Sequence, residues 1–313
     1  VLITVGTSLV LATGSYRLVE RVSTVLVVTF TFMTVVCVLL LPATDYAFGF
    51  SELASGFTFQ IPAAAVGAAF AMFGITGVGA SELVSYPYWC IEKGYARNAG
   101  RRDESPDWVR RARGWMRVMF TDAWVSMMVY TTATVAFFLL GAAVLHAHTR
   151  AEGLPGNVQG MLQVLVSMYE PALGTRVATW FVVVGVFAVL YSTLVAATAG
   201  NSRMLTDFLH INRFIQFSGR ETRLWWIRLF CIGFPFVALV LHILMGNPVQ
   251  MVRIGGFIQA VTLPMIATAA IYLRYRGTDQ RITSGWAWDL GLWLSSLGLF
   301  LAAIYGIYAA IPK

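Results

Sequence analysis

The sequence predicts an all-α integral membrane protein of about eight transmembrane segments, one of them discontinuous, and three observations carry that prediction. Hydrophobic residues make up 58% of the 313 and charged residues only 12%, with a mean hydropathy of +0.71. A water-soluble domain carries roughly 25% charged residues, so most of this surface must face something other than water. Apolar runs also recur at the length a helix needs to cross a hydrocarbon core of ~30 Å, about 20 residues. Finally, positive charge is concentrated in alternate connections between those runs.

In chain order, an incomplete apolar run at 1–13 is followed by runs at 22–42, 61–91, 119–146, 177–199, 224–245, 255–273 and 286–311. Residues 157–169 are amphipathic and too short to span, the pattern of an interfacial helix lying along the membrane surface. The whole of 1–313 reads as one transmembrane domain. Val1 lies inside an apolar run, with neither an initiator Met nor a signal-peptide pattern, so the chain reads as an N-terminally truncated fragment.

Charge sets the expected orientation. All but Arg150, Arg176, Arg253 and Lys313 of the 22 lysines and arginines fall in four connections, at 14–21, 92–117, 201–228 and 274–281. These connections, with the basic loop 93–118 richest among them, are expected on the cytoplasmic side of the cell membrane. The net charge of +7 is therefore an orientation signal and not a nucleic-acid surface. Trp108, Trp115, Trp225, Trp226, Trp286 and Trp288 sit near segment ends, where indole rings anchor at headgroups. Cys37, Cys90 and Cys231 show no metal-ligand or redox spacing and read as small buried hydrophobes.

One segment carries a mechanism. Run 61–91 is too long for a single ordinary span, at about 46 Å as a continuous helix. Its middle reads Gly74-Ile75-Thr76-Gly77-Val78-Gly79-Ala80-Ser81-Glu82. Each glycine weakens a helix by roughly 1 kcal/mol relative to alanine. Two half-helices joined by an unwound stretch are expected, with Ser81 as N-cap of the second and Glu82 at its positive end. Unwound backbone at membrane depth faces protein or a wet cavity, and its free carbonyls make a cation site. The competing reading is an unbroken glycine-rich helix packed closely on a neighbour. Gln259 and Thr262 share a helix face just before Pro264, and Asp122 opens a span, as an ion-pair partner of a nearby arginine or as a proton-handling group. His146, His148, His210 and His242 do not cluster in sequence, and no P-loop, HExxH or GxSxG motif is present. The expectation is a protein that is not an enzyme and needs no cofactor.

The order of these features resembles the NRAMP family of proton-coupled divalent metal transporters, part of the larger group with the LeuT-like inverted-repeat transporter fold. Gly14-Ser-Tyr-Arg-Leu-Val-Glu-Arg21 is similar to the family's GxYxxxE turn, and Gly74–Gly79 falls where its broken sixth helix lies. Residues 191–209 resemble its eighth helix, and 246–264, ending in Leu263-Pro264, its tenth. The resemblance implies that helices four to eleven are present and that the first three, with their Asp-Pro-Gly-Asn metal motif, are not. Where the family carries Met-Pro-His, this chain has Val78, Gly79 and Ala80. Loss of the thioether leaves oxygen ligands, which suit a harder ion such as Mg²⁺ better than Mn²⁺ or Fe²⁺. The family's tenth-helix glutamine does not align residue for residue with Gln259.

The resemblance thus implies a secondary transporter of divalent cations, with the carbonyls of Ile75 and Val78 facing the metal. Thr76, Glu82, Gln259 and Thr262 would lie nearby, with Glu82 and Asp122 handling protons. Its partners are the lipid bilayer and the metal substrate, with no nucleic acid and no obligate protein partner expected. The alternatives are an organic-solute transporter of the same fold, whose substrate carboxylate Glu82 would repel, and a non-transporting sensor or scaffold.

Overall fold

The computed structural model describes residues 2–13, 17–56, 58, 65–76, 78–148, 155 and 157–310. Among them every regular element is helical. Among the described residues, six helices are long and apolar enough to cross a membrane, over Thr24–Ala43, Pro106–Leu145, Thr175–Ile211, Arg220–Met245, Pro248–Gly277 and Trp286–Tyr308. Leu2–Leu11 is apolar but shorter. Large apolar side chains point outward from these helices, Phe138 at 71% and Trp180 at 68% exposure, as a lipid-facing surface requires.

The chain folds as two compact units. The first comprises Val1–Gln60 and Tyr130–Met251. Here α1 (Leu2–Thr13) packs on α10 (Arg220–Met245), while α9 (Thr175–Ile211) packs on α2 (Arg17–Leu40), α8 (Val158–Leu173) and α10. A short helix, α3 (Phe50–Gly56), follows the turn that ends α2 at Pro42. The core is an aromatic cluster in which Phe30 stacks on Phe181 at 5.0 Å and Tyr169 packs edge-on against Phe181 at 5.2 Å. Gly185 admits Phe30, because a Cβ there would lie 2.0 Å from the ring. The fully buried Tyr169 hydroxyl shares a 2.8 Å hydrogen bond with Thr34, which satisfies a polar group in an otherwise apolar core. Residues 157–169 thus form most of α8, whose second half is held in this core; Asn157 caps it by accepting the Gly160 N–H at 2.7 Å.

The second unit comprises Ile61–Val129 and Val252–Lys313. Run 61–91 is broken, into α4 (Val66–Phe73) and α5 (Ala80–Glu92), followed by the short α6 (Tyr95–Ala99). The helix α7 (Pro106–His148) enters here and continues into the first unit, as α11 (Pro248–Tyr272) passes from the first into the second. The chain closes with α12 (Trp286–Ala310), which packs on α4. Phe70 of α4 sits at the centre, edge-on to Phe257 at 5.4 Å and against the bare backbone of Gly306.

Three expectations are corrected. The basic stretch before residue 119 is not all loop: α7 starts at Pro106, because Ser105 accepts the Trp108 N–H at 3.1 Å and Pro106 opens the first turn. Trp108 is no headgroup anchor, since it is 7% exposed and lies beneath the Arg281 guanidinium at 5.3 Å. The 177–199 run extends helically to Ile211. The three cysteines are buried free thiols.

Candidate functional site

The site is built around the interruption between α4 and α5. The Gly74 N–H closes α4 on the Phe70 carbonyl at 3.3 Å, and Thr76 N–H returns to Met72 O at 2.8 Å. The chain then runs to Gly79, extended at φ −69° and ψ 160°, from which α5 begins. Gly77, in the middle, is outside the described residues. At 8 and 13 residues the two half-helices measure about 12 and 20 Å, and neither alone spans the ~30 Å core of a bilayer. Among the described residues, none donates a hydrogen bond to the carbonyls of Ile75 or Val78.

Gly79, and not Ser81, is the N-cap of α5. Ser81 lies one residue inside the helix because Glu82 reaches back, its Oε2 accepting the Gly79 N–H at 3.0 Å. That is the acidic half of a capping box, and it places a carboxylate where the helix dipole is positive. Glu82 is exposed, as is Thr76, while Ile75 and Val78 are half-buried.

Two glycines set how closely the interruption approaches α11. A Cβ on Gly74 would fall 2.0 Å from Gly256 O and 2.6 Å from Ala260 N. The contact is reciprocal, since a Cβ on Gly256 would fall 2.3 Å from Ala71 O. Such close backbone approach is what small residues permit between membrane helices. One turn along α11, Gln259 meets the other side of the interruption. Its Oε1 would lie 2.4 Å from a Cβ on Gly79, so only glycine leaves room for it there.

That oxygen is buried and, among the described residues, has no hydrogen-bond partner. An unsatisfied buried acceptor costs ~1–3 kcal/mol, and one aimed at an unwound, carbonyl-rich stretch is suited to accept a cation. Thr262 serves the same residue from behind, its hydroxyl donating to Gln259 O at 2.8 Å. Among the described residues no three His, Cys, Asp or Glu side chains come together.

Asp122 stands apart from this group. Its Oδ2 pairs with Lys93 Nζ at 3.3 Å and accepts the Tyr86 hydroxyl at 3.2 Å. The expected arginine partner is therefore a lysine, and the pair is partly exposed, at 53% for Lys93 and 32% for Asp122. Tyr86 follows Glu82 by four residues, so the two share a face of α5 and lead from the interruption toward Asp122. The sequence signal for Tyr86 was that spacing; Lys93 and Asp122 sit on separate helices, and no local pattern links them.

These features define a class, multi-pass helical membrane proteins with a discontinuous helix, a device transporters use to present backbone groups. The family model described as natural resistance-associated macrophage protein-like matches residues 1–309, and the chain belongs to this Nramp family. Its business is metal-ion transport across a membrane, not enzymatic catalysis. No curated protein and no solved structure matches the chain. Residues 14–16 of the GxYxxxE-like motif lie outside the described residues.

Proposed function

We propose that this protein is a secondary-active carrier of a divalent cation that binds at the interruption between α4 and α5. One observation carries the reading: the buried Gln259 Oε1 set against Gly79, unpartnered among the described residues. The carbonyls of Ile75 and Val78 and the hydroxyl of Thr76 supply further oxygens from the interruption. The cation then satisfies a group that otherwise remains unpaired. Oxygen donors favour a hard ion, and Val78, Gly79 and Ala80 place no thioether at these positions, so Mg²⁺ is the preferred substrate.

The same geometry supports proton coupling. The Glu82 carboxylate holds the Gly79 N–H, and Gly79 is the residue against which Gln259 packs. Protonation of Glu82 weakens a charge-assisted hydrogen bond and frees the start of α5 to move, which alters the cation's ligand shell. Asp122, reached through Tyr86, is the second proton-handling group. Alternating access on a LeuT-like inverted-repeat fold, with α1 and the broken α4–α5 pair bringing the segments to eight, is the architecture in which such a site works. The arginine-rich connections support a cytoplasmic side for those loops, because basic connections are retained there, with the protein in the cell membrane.

The test is uptake of Mg²⁺ and Mn²⁺ into proteoliposomes under an imposed pH gradient, comparing the protein with Gln259→Leu and Glu82→Gln. Mg²⁺ uptake that fails in Gln259→Leu and loses its pH-gradient dependence in Glu82→Gln supports the reading. Uptake indifferent to Gln259 would remove the interruption as the binding site.

A further inference from the structure

A second site lies where α7 emerges from its apolar stretch. Arg110, Arg113 and Arg117 follow one another at helical spacing along one side of α7, and with Arg281 they line a groove of about 780 Å³. The groove is held open by a fixed wall. Arg281 is bound by Asp279 at 2.9 Å and Glu104 at 3.2 Å, and Arg113 donates to the Arg281 carbonyl at 2.6 and 3.0 Å. Gly114 leaves the floor clear, since a Cβ there would meet nothing within 4 Å.

The charges do not balance inside it. Arg110 is paired with Asp107 at 3.0 Å and Arg281 with its two carboxylates. Among the described residues neither Arg113 nor Arg117 has a carboxylate partner, although the two lie one turn apart, where like charges repel. An anion in the groove relieves that repulsion, and a phosphate oxyanion matches the planar guanidinium fork.

What lies beyond Arg117 identifies the source of that phosphate. The same helical stripe continues to Trp124 and Met128, which are 53% and 61% exposed. Arginines above and exposed apolar side chains below, on one stripe, match a headgroup joined to an acyl chain. A soluble anion would need only the upper half. We propose that this groove binds the phosphate of an anionic phospholipid, with its chain along Trp124 and Met128.

The experiment is native mass spectrometry of the detergent-purified protein offered equal phosphatidylglycerol and phosphatidylcholine, and separately inorganic phosphate without lipid. The expected result is selective retention of phosphatidylglycerol, reduced about 30-fold by Arg110→Ala with Arg117→Ala, the worth of two basic residues at an anionic surface. A charge-matched control, Arg220→Ala with Arg228→Ala, should retain the lipid, and thermal unfolding of both variants should show them folded. Trp124→Ala should weaken lipid retention as well. Equal loss in the control pair would reduce the effect to bulk electrostatics and overturn the site. Inorganic phosphate bound as tightly as the lipid, and indifferent to Trp124→Ala, would overturn the lipid as its occupant.

Discussion

Replacing Gly79 with alanine separates the cation site from the fold. The new Cβ would stand 2.4 Å from Gln259 Oε1 and 3.3 Å from its carboxamide carbon. Ordinary contact begins near 3.4 Å, so the amide must retreat by about 1 Å. What it meets is the far end of a flexible side chain, and the cost of a displaced rotamer is only ~0.5–1.5 kcal/mol. Gly79 is the N-cap of α5, a position where alanine is somewhat poorer than glycine, so with the displaced rotamer global stability should fall by only about 1–2 kcal/mol. The consequence for the substrate is larger. A neutral acceptor serving a charged partner contributes ~1.5–3 kcal/mol, so losing Gln259 Oε1 should weaken cation binding on the order of 10- to 100-fold. The assay is Mg²⁺ binding by calorimetry beside thermal unfolding of the same detergent-solubilised sample. Unchanged affinity with an unchanged melting temperature would refute the assignment of Gln259 as a ligand. Lost affinity accompanied by a collapsed melting temperature would show that Gly79 matters for packing instead.

Gly74→Ala should behave in the opposite way: its Cβ would meet Gly256 O at 2.0 Å and Ala260 N at 2.6 Å, backbone atoms that cannot turn aside. Overpacking of this kind costs ~1–3 kcal/mol, and the expected result is a lower melting temperature whether or not cation is present. The loop before α12 should respond to acid. Hydrogen bonds from the Arg281 side chain and backbone hold the Asp279 carboxyl at about 2, below its ordinary 3.8. A carboxyl lowered in the folded state stabilises fully above its unfolded value and loses that contribution as pH falls through its folded one. The difference in melting temperature between the protein and Asp279→Asn should thus be constant above about pH 5 and shrink as pH falls from 3.8 to about 2. A difference that does not change over that range would contradict the ion-pair geometry.

The class of protein and the place of the interruption were legible in the residues because both depend on local quantities. Low charge and runs of about 20 apolar residues follow from the dielectric and thickness of a bilayer. The 61–91 segment combined excess length with three glycines in six residues, and the chain breaks between Phe73 and Ala80. Some signals were local but outweighed. Ser81 has the better capping side chain, yet Gly79 caps α5 because Glu82 satisfies its N–H from the third position. Ser105-Pro106-Asp107 is a helix start that the surrounding arginines obscured.

Other features came only from tertiary contact. Nothing near Gln259 in sequence says that its oxygen reaches Gly79, since that depends on Gly74 and Gly256 letting two backbones touch. Nothing near Asp122 names Lys93 as its partner. The groove beside α7 exists because Arg113 captures the carbonyl of Arg281 from a distant loop. The sequence by itself determined the solvent this protein lives in and where its helix must break, because each residue's transfer and helix-forming free energies act locally. Only the tertiary structure decided which polar atoms were left without partners, because an unsatisfied group is defined by everything that packs around it.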